Sequence, residues 1–190
     1  MAATSSSTRS SRSTSTSRTS STRSATAAKS PKATKTTGKY ISKIDVAHPP
    51  KGMNPALAGK VRAIGLTTDK ALQPGYPTKG TTHCNQAAHK YATQFGYDGF
   101  KGLNADKMNK LMSNPKSGWH KVTEAEAIQA AKDGKMAFAS VPASKGHAHG
   151  HIAAVTGEYA PGVAGISQAG SNNYEFGTWR RETPSFFVRD

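Results

Sequence analysis

The chain has a single cysteine, Cys84, in 190 residues. One thiol excludes an intramolecular disulfide framework and any zinc site built on several thiolates, so the fold must rest on its apolar core. Long hydrophobic runs are missing as well. Apolar residues make up 35% of the chain, and no stretch approaches the roughly 18 to 20 residues needed to span a bilayer, which excludes a transmembrane helix. Acidic side chains are absent from residues 1 to 44, where nine bases stand alone: Arg9, Arg12, Arg18, Arg23, Lys29, Lys32, Lys35, Lys39 and Lys43. The formal charge of +15 is therefore unevenly spread. Taking those nine from the 26 Lys and Arg leaves 17 bases against 11 acids, a mild +6, for the remainder.

Ser and Thr fill 19 of the first 30 positions, and no aromatic or large aliphatic side chain follows Met1. Such a segment buries too little apolar surface to offset the entropy of ordering it, so residues 1–38 are expected to be a disordered basic tail. It lacks the apolar core of a secretory signal. Residues 39–80 carry Pro49, Pro50, Pro55, Pro74 and Pro77 among glycines, which predicts an extended arm over the surface of a domain spanning 81–190.

Within that domain, Ala87, Ala88, Tyr91 and Phe95 follow Cys84 at helical offsets, predicting a helix over 83–95 with the cysteine in its first turn. Asn104 is a candidate N-cap for a helix over 105–113, and Thr123 with Glu126 forms a capping box that opens a third. Short apolar runs then follow at 136–141, 151–156, 163–168, 174–180 and 186–188, with Gly and Pro between them. The layout is α+β: N-terminal helices, the cysteine on the first, against a C-terminal antiparallel sheet of about five strands.

A cysteine hydrolase needs a thiolate, an imidazole to carry the proton, a group to orient the imidazole, and donors for the oxyanion. A helix start favours the thiolate and presents free N–H groups to developing negative charge, and Cys84 sits at such a start. The candidate general base is His151, at the head of the apolar strand in GHIAAVTG. Gln168, on the next strand, could accept the imidazole N–H through its amide oxygen or lend its amide to the oxyanion, and Asn172 could do either from the loop.

Together, THCNQAAHKYATQFGY, LNADKMNKLM, GHIAAVTG and ISQAGSNN resemble, in order, the papain-like cell-wall hydrolases of the CHAP and NlpC type, in particular the branch of phage endolysins and secreted antibacterial amidases. The resemblance implies a papain-like fold, Cys84 as nucleophile, His151 as general base, and the third position at Gln168, where CHAP proteins more often have Glu or Asn and NlpC-type proteins His. It implies hydrolysis of amide bonds in peptidoglycan peptides without a cofactor. The chain is further expected to be a monomer without a metal, acting at the bacterial wall or periplasm after phage lysis, virion delivery or secretion that bypasses a signal peptide. The basic tail would then bind the anionic envelope over a screening length of about 8 Å.

Other readings compete. The tail alone suits a polyanion- or nucleic-acid-binding protein. The same Cys-His pair would serve a deamidase or acyltransferase acting on protein. His147, His149 and His151 alternate, so a strand beginning at 147 would align three imidazoles for a metal, although Gly146 and Gly150 favour a loop there. His83 and His89 read as surface histidines, His83 standing close enough to Cys84 to tune it. Trp119, Trp179 and Tyr174 read equally as groove or packing residues.

Overall fold

The computed structural model describes residues 40–144, 148–179 and 183–189. Among these, four α-helices, a single 3-10 turn and six strands follow in the order α1 Pro55–Ile64, the turn Lys70–Leu72, α2 Cys84–Thr93, α3 Ala105–Met112, β1 Trp119–Val122, α4 Glu124–Lys132, β2 Met136–Val141, β3 His151–Ala160, β4 Val163–Gln168, β5 Tyr174–Thr178 and β6 Ser185–Arg189. The strands form one antiparallel sheet in the order β1-β6-β2-β3-β4-β5. The class is α+β.

The sheet is covered on both faces, which is why β2 and β3 read as nearly continuous apolar runs. Phe138, Ile152 and Ala154 point to one side, where they meet Val61 of α1, Tyr91 of α2 and Met108 of α3. Ala137, Ala139, Ala153 and Val155 alternate with them and pack against Ala127 and Ala131 of α4.

Local signals account for the helix starts. The Asn104 side chain accepts from Lys107 N–H, and Thr123 and Glu126 exchange both bonds of the capping box, as their spacing predicts. The region 39–80 departs from its expected extended form. Pro55 occupies the first position of α1, where a missing N–H is harmless, Asn54 caps the helix by accepting from Ala56 N–H, and Gly65 closes it in the left-handed conformation. Proline here starts a helix. This stretch also contributes Ile44, Met53, Leu57, Val61, Leu66 and Leu72 to the core, so it is part of the folded unit, with no boundary at residue 80.

Two further expectations are corrected. Cys84 opens the second helix, since α1 precedes it, and the helix runs over 84–93, shorter than predicted. The sheet has six strands because β1, four residues long and half exposed, pairs with β6. The expected tail at 1–38 lies outside the described residues.

Candidate active site

α2 packs on β3 and brings the cysteine-bearing end of the helix to the head of the histidine-bearing strand. His83 is the N-cap residue of α2. It is buried, contrary to its reading as a surface group, and its Nε2–H donates to the Tyr76 carbonyl at 2.6 Å. Asn85 donates from Nδ2 to the Leu103 carbonyl at 3.0 Å, so residues on both sides of Cys84 are tied to neighbouring loops.

Cys84 itself is 7% exposed. Burial pushes its thiol above the ordinary range, outweighing the N–H groups of Ile152, Asn85 and Cys84, which pull it down, while the negative charge of Asp106 acts in the same direction as burial. The helix start alone therefore does not make a resident thiolate. The influence of the Ile152 N–H on the thiol sets Cys84 near the residue that follows His151.

At the head of β3, His151 Nε2 lies 2.9 Å from Gln168 Oε1. Gln168 in turn donates from Nε2 to the Asn172 carbonyl at 3.3 Å, an arrangement that turns its amide oxygen toward the imidazole. A carbonyl oxygen only accepts, so Nε2 of His151 carries the proton and Nδ1 is the nitrogen able to take one. Between the two candidates for orienting His151, the contact belongs to Gln168. Asn172 has an exposed side chain and supports Gln168 through its backbone.

The loop after β4 is held against this pair. A Cβ on Gly170 would lie 3.4 Å from His151 Cε1 and 3.3 Å from Gln168 Nε2, so glycine lets the backbone come close to the ring. Asn173 fixes the loop from the other side, accepting from Gly170 N–H at 3.0 Å and donating to the Leu66 and Leu72 carbonyls at 2.8 Å each. Sequence reasoning missed Asn173, whose neighbour Asn172 drew attention instead. The Trp179 indole is tilted against His151 at 48°, with ring centroids 5.2 Å apart, and Trp119 is core, stacked on Phe100. Tyr174 is buried and stacks on Tyr40.

A cleft of about 410 Å³ opens at this place, lined by Tyr40, Thr82, His149, His151, Gln168, Asn172 and Trp179 among others. The buried Cys84 is not among the lining residues, whereas Thr82, two residues before it, is. No group of three His, Cys, Asp or Glu side chains among the described residues converges to hold a metal. His149 is exposed and His147 lies outside the described residues. His89 pairs with Asp98 at 2.7 Å, away from the cleft lining.

No family model and no curated protein matches the chain.

Proposed function

We propose that the protein is a cysteine amidohydrolase of papain-like fold that cleaves amide bonds in peptidoglycan peptides at the bacterial cell wall. The observation that carries the reading is the 2.9 Å bond between His151 Nε2 and Gln168 Oε1, on strands beside a helix whose first residue is the only cysteine in the chain. That bond selects the imidazole tautomer a general base needs.

The chemistry follows from the protonation states. Cys84 rests as a neutral thiol, so its proton passes to Nδ1 of His151 as sulfur attacks the carbonyl carbon. The tetrahedral oxyanion is met by N–H groups at the start of α2, the Cys84 N–H among them. The imidazolium then gives its proton to the departing amine, the C–N bond breaks, and a thioester remains. Water, deprotonated by His151, attacks the thioester and releases a carboxylate and the thiol. Gln168 holds the imidazole throughout and takes no proton. No step calls for a cofactor.

The substrate class is tested by incubating the protein with purified sacculi, soluble muropeptides and an unfolded protein, then locating new termini by mass spectrometry. Cuts at stem, lactyl or cross-bridge amides, with the unfolded protein left intact, support the reading. Deamidation or acylation of protein with sacculi untouched would overturn the substrate assignment and favour the deamidase or acyltransferase.

A further inference from the structure

Asp106, the second residue of α3, reaches both ends of the connection between β2 and β3. Its Oδ1 accepts from Ala143 N–H at 2.6 Å and its Oδ2 accepts from Gly150 N–H at 3.3 Å. The β2–β3 ladder ends at the pair Val141 and His151, so these two N–H groups are the first beyond the register and have no strand partner in it. One turn along α3, Asn109 donates to Ser140 Oγ at 3.1 Å, and the helix thus grips the end of β2 at a second point. Gly150 is buried, and a Cβ there would lie 2.7 Å from both Asp106 Oδ1 and the Val141 carbonyl. The carboxylate occupies space that any other residue at 150 would claim. Each of its two oxygens accepts from one end of the connection.

Gly150 immediately precedes His151, and His151 is the first residue of β3. Whatever fixes Gly150 fixes the point at which the imidazole leaves the backbone. We propose that Asp106 is a positioning residue for the reaction: by holding the Ala143 and Gly150 N–H groups together it sets His151 where it meets Gln168 and faces the start of α2. The inference rests on the reading of Cys84 and His151 as a reactive pair.

Four proteins test it: wild type, Asp106→Glu, Asp106→Asn and Asp106→Ala. Glu keeps both acceptors on a stem longer by a methylene. Asn keeps a single acceptor and turns an NH₂ group toward the other N–H, and Ala keeps neither. The first readout needs no substrate. Long-range nitrogen NMR of the His151 ring is expected to show one tautomer, protonated at Nε2, in wild type and largely in Asp106→Glu. In Asp106→Asn and Asp106→Ala the two nitrogens are expected to move toward averaged shifts. The second readout is kcat and KM on soluble muropeptides. A displacement of the base on the order of 1 Å lowers kcat by about a hundredfold, so Asp106→Ala is expected to lose about that much with KM within about twofold, and Asp106→Glu to recover most of it.

An unchanged His151 tautomer in the Asn and Ala variants, or a kcat that survives both substitutions, would overturn the role. If Asp106→Ala does not fold, Asp106→Asn decides by the same readouts. If wild type cleaves nothing, the proposed hydrolase fails and the NMR arm still decides whether Asp106 holds the imidazole.

Discussion

Replacing Gln168 with Glu changes a single atom type at the contact that orients His151. In the native site a neutral amide oxygen accepts from Nε2–H at 2.9 Å. A net neutral hydrogen bond is worth about 0.5–1.5 kcal/mol and one to a charged group about 1.5–3 kcal/mol, so a carboxylate there favours the imidazolium by roughly 1 to 1.5 kcal/mol more than the amide does. At about 1.4 kcal/mol per unit, the His151 titration midpoint rises by about one unit. The bond from Gln168 Nε2 to the Asn172 carbonyl is lost at the same time, which keeps the shift toward the lower end. The sign is fixed: the opposite charge stabilises the protonated ring, so less neutral base is present at acidic pH and the acid limb of kcat/KM moves upward by the same amount. Proton NMR titration of the histidines, with His151 assigned by His151→Ala, measures the midpoint, and the pH profile of hydrolysis measures its consequence. Gln168→Leu removes the acceptor without adding charge and is expected to lower kcat about tenfold with no upward shift of the limb. A His151 midpoint that stays put in Gln168→Glu would refute the pairing on which the site is built.

Burial of Cys84 predicts slow alkylation by iodoacetamide near neutrality, with an inflection above the roughly 8.5 of a free cysteine; a rate already at its plateau at pH 6 would mean a resident thiolate instead. Because the folded state keeps the thiol protonated, its contribution to stability is full below about pH 8.5 and is lost as pH rises through the folded midpoint. Gly157→Ala is expected to destabilise by about 3 kcal/mol in urea unfolding, since the new Cβ would lie 2.0 Å from the Gly52 carbonyl oxygen and 2.8 Å from Met53 Cα, both backbone atoms; an unchanged midpoint would contradict that close approach. Glu175→Ala removes a fully buried carboxylate that accepts from Arg62 at 2.7 Å and from Ile44 N–H at 2.8 Å, and is expected to destabilise by about 3 kcal/mol, with Glu175→Gln milder; equal stability in all three proteins would contradict it.

What the sequence made legible is what is local. The caps at Asn104 and Thr123 are decided within three residues, and both helices begin where those residues predict. The pairing of His151 with Gln168 was legible because consecutive strands joined by a short Pro161-Gly162 turn lie side by side. The helix Pro55–Ile64 was hidden because proline reads as a breaker when its neighbours are not weighed: Asn54 before it and Gly65 after it are the start and stop signals. The strand Trp119–Val122 was hidden because its middle residues, His120 and Lys121, are exposed at a sheet edge. Asp106 was illegible in its role. Its partners lie 37 and 44 residues downstream, and nothing within its own helix marks a first-turn acid as a clamp on a distant loop. His83 was misread for the same reason, since its burial depends on the path of the chain at Tyr76.

The central claim is that the sulfur of Cys84 attacks a peptidoglycan amide with His151 as base. The most direct test is the rate at which new amino termini appear in purified sacculi treated with wild type, Cys84→Ala and His151→Ala, each shown by circular dichroism to be folded. Wild type is expected to release amines steadily, and both variants are expected to fall by at least about a thousandfold, because a nucleophile and its base act as one unit. Release that continues at the wild-type rate in folded Cys84→Ala would contradict the account.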